Sequence, residues 1–306
     1  MRGKGTLGKI QRIQYKGREL LPAKTDLVFK ALMTADGDLE LLASLLSSIL
    51  ELDLHAKDIL VANTELPATH EYGKLSRVDV RVTLADGKHI NAEIQLTDGH
   101  NMERRSVYYL SRLYSEQMKQ SMDFEDICPA IAINILDFPF LPFSEYHNRY
   151  RLKNTANNHE LTDVFEVNFL ELPKVPDKDL KSLKDLWMRF FTANDEETLE
   201  MLKNRNPIFR RAVDKLVYFS ADEQLRYDLD MREKWELDHG SIMAERIEKG
   251  RQEGMVQGIE QGMTQGIEAK THQTVIEMKK RDFAEDVIAD IVKLPVERVR
   301  EIKEKR

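Results

Sequence analysis

At 306 residues, 42% of them hydrophobic and 32% charged, the chain is long enough for one large domain or a core with an appendage, and it is expected to be globular with a charged helical part. No apolar run approaches the roughly 20 residues of a membrane span and no signal-peptide pattern precedes the core, so neither a membrane protein nor an exported one is expected. The single cysteine, Cys128, excludes an internal disulfide framework and suits a reducing cytoplasm, the eight histidines lack zinc-ligand spacing, and the net charge of -7 leaves any nucleic-acid affinity to local clusters.

One such cluster opens the chain. Arg2, Lys4, Lys9, Arg12, Lys16, Arg18, Lys24 and Lys30 face only Glu19 and Asp26, so residues 1–18 read as a basic arm. It either lies along phosphates or is a solvated terminus. Residues 24–34 place Leu27, Val28, Ala31 and Leu32 at helical spacing, with Asp26 in the first turn, where a carboxylate suits the macrodipole. Asp36-Gly37-Asp38 breaks the chain before a buried helix over 39–50. The acids Asp36, Asp38 and Glu40 lack calcium-loop spacing and read as a turn with a cap. A first sheet strand is expected over 59–66, ahead of Pro67.

Residues 73–96 are the most patterned stretch. Val78, Val80, Val82 and Leu84 alternate with Arg77, Asp79, Arg81 and Thr83, and alternation resumes after Ala85-Asp86-Gly87 through Ile90, Ala92, Ile94 and Leu96. Period-2 patterning on both sides of Asp-Gly predicts an antiparallel hairpin. A two-residue turn would set Asp79 against Ile94 and mix polar with apolar on both faces. A three-residue loop with Gly87 left-handed pairs Leu84 with Lys88, Arg81 with Asn91, Asp79 with Glu93 and Arg77 with Gln95, and this register is expected. Like charges directly opposite each other are unfavourable. Either a hard divalent cation, Mg²⁺ or Mn²⁺, relieves Asp79 and Glu93, or Arg77 and Arg81 neutralise them on a solvated face.

A helix is expected over 102–121, with Arg105 and Arg112 two turns apart and Tyr108 between them. Cys128 to Leu136 is near-continuously apolar and reads as a buried strand. Another strand is expected over 161–170, where Val164, Glu166 and Asn168 alternate with Phe165, Val167 and Phe169; Pro173 and Pro176 then mark a boundary. Residues 180–219 are helical in pattern. Gly250, Gly254, Gly258, Gly262 and Gly266 then recur at every fourth residue, each followed by Arg251, Met255, Ile259, Met263 or Ile267. Each glycine costs a helix about 1 kcal/mol relative to alanine, so the tract is either a self-associating helix or a marginal linker. Residues 283–305 read as two short helices around Pro295, a helix-turn-helix-like unit for DNA or a hairpin for packing.

Asp79, thirteen intervening residues and then Glu93-Ile94-Gln95 resemble the D…(D/E)-x-K signature of the PD-(D/E)XK nuclease superfamily, in the Rpn recombination-promoting nuclease and putative transposase branch, which commonly carries glutamine in the lysine position. Lys24-Thr25-Asp26-Leu27-Val28-Phe29-Lys30, Arg104 through Tyr114, Pro129 through Asp137 and the glycine tract resemble that branch in the same order. The resemblance implies an α/β fold: a restriction-endonuclease-like core, a central mixed sheet flanked by helices, followed by an α-helical C-terminal extension. The expected division is a basic arm at 1–18, a nuclease core at 19–175, a helical subdomain at 176–240, the glycine tract at 241–280 and the helical hairpin at 281–306.

The activity implied is cleavage of DNA phosphodiesters by a Mg²⁺- or Mn²⁺-dependent endonuclease. Asp79 and Glu93 would hold the metal, with the backbone carbonyl of Ile94 as a further ligand and Gln95 orienting water or phosphate. Lys74, Arg77, Arg81, Arg105, Tyr108 and Arg112 would contact the DNA backbone, and Asp26 either joins the site or only starts its helix. The expected partners are DNA and a second copy of the chain, through the glycine tract. The alternative is a catalytically degenerate nuclease fold that binds DNA or protein through its helical tail.

Overall fold

Loop length sets the register of a hairpin, and in the computed structural model, which describes residues 11–62, 80–97 and 101–303, the loop has three residues. Leu84 donates its N–H to the Lys88 carbonyl at 2.8 Å, and Gly87 donates to the Leu84 carbonyl at 2.9 Å. Gly87 sits at φ +88°, the left-handed conformation the loop requires. β4 (Val80–Leu84) and β5 (His89–Gln95) therefore pair Val82 with Ile90, Arg81 with Asn91 and Val80 with Ala92, the expected register as far as the described residues reach. A Cβ added at Gly87 would also overlap Cys128 Sγ. Gly87→Ala is expected to cost about 1–2 kcal/mol, a fall of about 2–8 °C in Tm, read by thermal melting.

Among the described residues this hairpin lies in a mixed six-stranded sheet of order β3-β4-β5-β6-β8-β7. β3 (Ile59–Val61) pairs with β4; β6 (Ala130–Leu136) runs parallel to both β5 and β8 (Glu160–Glu171); β7 (His147–Lys153) closes the edge antiparallel to β8. β6 has neighbours on both sides and cover on both faces, which is why it reads as a continuous apolar run. Its one polar residue, Asn134, donates to the Asn168 carbonyl at 3.1 Å and accepts from Ser106 Oγ at 2.9 Å.

One face of the sheet, carrying Ile90, Ala92, Ile94, Ile131, Ile133 and Ile135, shares a hydrophobic core with α1 (Asp26–Thr34), α2 (Glu40–Leu50), α4 (Leu183–Thr192), α5 (Glu196–Arg205) and α6 (Pro207–Ser220). The other face is covered by α3 (Met102–Ser115) through Met102 and Leu110 on Ala132, Leu136 and Phe169. α3 stops short of the expected residue 121. The Gln117 side-chain amide brackets Cys128, accepting from its N–H and donating to its carbonyl, both at 3.0 Å, so the chain turns there toward β6. The helical stretch 180–219 is three helices because Asp195 caps α5 on the Thr198 N–H at 2.7 Å and Asn206-Pro207 starts α6.

Two strand pairings were not expected. β1 (Ile13–Tyr15) and β2 (Arg18–Leu20) form a hairpin on a Lys16-Gly17 turn, so this part of the basic arm is not a solvated terminus. Arg12 pairs with Asp230 and Glu233, Lys16 with Glu200 at 2.8 Å, and Lys24 with Asp137 at 2.6 Å. β7 has no apolar face to announce it. Its His147, Arg149 and Arg151 instead satisfy two buried polar residues of β8: Arg151 lies 2.6 Å and Arg149 3.3 Å from the Glu166 carboxylate, and His147 Nε2 lies 2.9 Å from Asn168 Oδ1.

Burial, reinforced by Lys184 and Arg149, holds His147 below its ordinary pKa of 6.5. Its Nδ1 accepts from Lys184 at 2.9 Å, so the folded ring is neutral. The unfolded chain protonates first; this contribution to stability is complete above pH 6.5 and is lost as pH falls toward the depressed value. His147→Gln is expected to flatten the stability slope just below pH 6.5, by at most about 1.4 kcal/mol per pH unit, in urea unfolding.

The chain divides into two compact units, Met1–Glu236 and Leu237–Arg306. α7 (Glu223–Lys280) begins in the first, where Arg226 pairs with Glu19 and Arg232 with Asp26. In the second unit α7 carries the glycine tract as helix, with Met255, Ile259, Met263 and Ile267 exposed. α8 (Glu285–Val292) and α9 (Val296–Glu301) close on its end through Val275, Ile288, Ala289, Val299 and Ile302. No helix among the described residues is long and apolar enough to cross a membrane.

Candidate functional site

Alternation along β5 sends Ile90, Ala92 and Ile94 into the main core and Asn91, Glu93 and Gln95 to the face beneath α3. All three polar residues are buried, Glu93 to 4% exposure. A row of three buried polar side chains on one strand opposes the hydrophobic drive that built the sheet, and a carboxylate so placed needs a cation.

α3 supplies one. Asn101, at φ +59°, starts the helix and accepts the Arg105 N–H at 3.0 Å. Met102 and Leu110 anchor the helix apolarly, and Ser106 Oγ ties it to Asn134 on β6 at 2.9 Å. Arg105 is thereby aimed at the polar row. One terminal nitrogen donates to Gln95 Oε1 at 3.4 Å and the other lies 3.7 Å from Glu93 Oε2, an ion pair too long for a hydrogen bond. The Tyr109 ring flanks the guanidinium, 5.9 Å from centroid to Cζ. Asn91 Oδ1, Gln95 Nε2 and Arg105 Nη2 are buried and make no hydrogen bond among the described residues. Buried polar atoms are normally satisfied, so a row of unsatisfied ones fits a site that completes itself with a ligand.

The other expected site residues are distributed as follows. Asp79, Lys74 and Arg77 lie outside the described residues. Arg81 is on the same face as Asn91, with its guanidinium 3.9 Å from Glu116. Arg112 pairs with Glu116 at 2.5 Å, and Tyr108 is well exposed beside Tyr109. Asp26 accepts from the Leu27 N–H at 2.8 Å and pairs with Arg232 at 2.5 Å. The Ile94 side chain is in the core on the opposite face.

Two features were missed from sequence. Asn91 belongs to the row, and stepping back two residues from Glu93 would have found it. Asp137, at the end of β6, donates its N–H to the Gln95 carbonyl at 2.8 Å and holds Lys24; nothing local in the sequence links those two.

The donor set suits a hard divalent cation through the Glu93 carboxylate and the unsatisfied Asn91 Oδ1. Among the described residues no group of three His, Cys, Asp or Glu side chains is arranged to hold a metal, so such a site also needs a residue from outside them. Residues 23–246 match a family model described as PD-(D/E)XK nuclease family transposase. No curated protein and no solved structure matches the chain.

Proposed function

Because the chain belongs to the PD-(D/E)XK nuclease family transposases, a family whose function is nuclease- or transposase-like, we propose that it is a Mg²⁺- or Mn²⁺-dependent endonuclease that hydrolyses DNA phosphodiesters. The observation that carries the reading is the buried row Asn91, Glu93, Gln95 under α3, where Asn91 Oδ1 and Gln95 Nε2 make no hydrogen bond among the described residues. In this proposal Asp79, placed opposite Glu93 by the register read from the sequence, is the second metal-binding carboxylate, and the Ile94 carbonyl is a further ligand. A bound cation supplies a water of lowered pKa and charge neutralisation at the scissile phosphate.

The chain's own residues do the rest. Glu93 and Asp79 fix the cation, Gln95 orients the water or a phosphate oxygen, and Arg81, Arg112, Tyr108, Lys74 and Arg77 line the approach of the DNA backbone. Asp26, tied to Arg232, acts through helix placement. The location is the cytoplasm. The test is nicking of supercoiled plasmid by the purified protein with Mg²⁺ or Mn²⁺. If wild type and Asp79→Ala cut equally, or neither cuts with any divalent metal, the proposal fails.

The exposed row on α7 favours a second role for the tail, which is self-association with another copy. Met255, Ile259, Met263 and Ile267 are exposed among the described residues, and the neighbouring glycines leave room for close backbone approach. Light scattering is expected to give an oligomer for wild type and a smaller species for Ile259→Glu with Met263→Glu.

A further inference from the structure

We propose that Arg105 is the cationic catalytic residue of this site, its guanidinium on α3 taking over the positive charge that Gln95 does not bring to the strand. The proposal rests on the nuclease reading. Phosphodiester hydrolysis forms one P–O bond from the water oxygen and breaks another to the leaving oxygen. The attacking water loses a proton to solvent, and the leaving oxygen takes one up. Negative charge grows on the phosphate oxygens in between, where a preorganised cation lowers the barrier most.

A lysine at position 95 would meet that charge from the strand. Gln95 is neutral, so the charge has to come from elsewhere, and the geometry identifies its source. Arg105 reaches both ends of the Glu93-Ile94-Gln95 motif, 3.7 Å from the Glu93 carboxylate and 3.4 Å from the Gln95 amide oxygen. Its Nη2 is buried and makes no hydrogen bond among the described residues, so a donor is held in place without an acceptor. A phosphate oxygen is the acceptor a guanidinium fork accommodates best.

Among the described residues, nearby cations lie against acids of their own. Lys24 sits 2.6 Å from Asp137, Arg112 lies 2.5 Å from Glu116, and Arg81 is 3.9 Å from the same glutamate. Arg105 is also braced for the role. Its helix is pinned by Ser106 on Asn134, and the Tyr109 ring lies against its guanidinium.

The experiment compares plasmid nicking and calorimetric Mn²⁺ binding for the full-length wild type, Arg105→Gln, Gln95→Lys and the double variant. Arg105→Gln should cut about 10²–10³-fold more slowly while binding Mn²⁺ as tightly as wild type or tighter, since a cation beside Glu93 has been removed. Adding Gln95→Lys to it should restore at least about tenfold of the rate, which no merely structural role for Arg105 explains. In the wild-type background Gln95→Lys should gain less than it gains in Arg105→Gln, because there the two cations serve one developing charge.

Near-wild-type cutting by Arg105→Gln, weakened Mn²⁺ binding, or a folded double variant no faster than Arg105→Gln would each overturn the proposal. Should Arg105→Gln fail to fold, Arg105→Met takes its place: the same loss of rate with Mn²⁺ binding kept supports the proposal, and near-wild-type cutting overturns it. A wild type that cuts nothing with any metal would bring down the nuclease reading, and this proposal with it. An active wild type with an active Arg105→Gln would bring down this one only.

Discussion

Plasmid cleavage by Glu93→Gln or by Asp79→Asn is expected to fall by about 10³-fold or more, with little change in thermal stability. Each substitution keeps the volume of the side chain and removes one negative charge from the proposed cation site. Neutralising charge at the phosphate through a bound cation is worth several kcal/mol, and each 1.36 kcal/mol is tenfold in rate, which sets the size of the loss. For Glu93 the effect on folding is small because its carboxylate is buried at 4% exposure against a guanidinium 3.7 Å away, a pair too long for a hydrogen bond. Desolvation offsets most of what such an ion pair returns. Calorimetry with Mn²⁺ should show binding lost in both variants. Retained binding with lost cleavage would place the two acids at the phosphate rather than at the metal.

The hairpin was legible because its two constraints act locally. Alternation fixes which residues share a face, and Ala85-Asp86-Gly87 fixes the offset, since a loop one residue shorter would have put Glu93 among the valines. β6 was legible for a different reason: a run buried on both faces carries no alternation at all. β7 was hidden because its side chains answer β8 and not the hydrophobic core. His147, Arg149 and Arg151 make sense only once Asn168 and Glu166 are opposite them. The same long-range logic hid the β1–β2 hairpin, where Arg12 and Lys16 look free in sequence and are paired with acids nearly two hundred residues away or more.

In the candidate site the strand residues were readable and their partner's position was not. Arg105 and Arg112 stood out as basic residues of one helix, read from the sequence as contacts to the DNA backbone. Arg112 pairs with Glu116. Arg105 does not, because Asn101 and Met102 set the helix so that position 105 lies over β5, a matter of how α3 sits on the sheet.

Trp187→Ala is expected to destabilise the first unit by about 3–5 kcal/mol, lowering its Tm by about 6–20 °C, while turnover measured well below the melt stays close to wild type. Trp187 is completely buried, stands edge-on to Phe190 at 5.7 Å, packs on Phe209 at 4.9 Å and donates from Nε1 to Ser44 at 3.0 Å. That cluster binds α2, α4 and α6 together in the core that covers Ile90, Ala92 and Ile94, the reverse side of the strand carrying Glu93. A truncation to alanine therefore leaves a cavity behind the site without touching a group inside it. The signature is the opposite of that of Glu93→Gln: melting and thermal inactivation shift together, and the rate per folded molecule does not. A Trp187→Ala protein that melts normally would mean that α4 and α6 are not part of the fold that holds β5. One that melts early and is also slow at low temperature would mean that packing on the far face sets the position of Glu93.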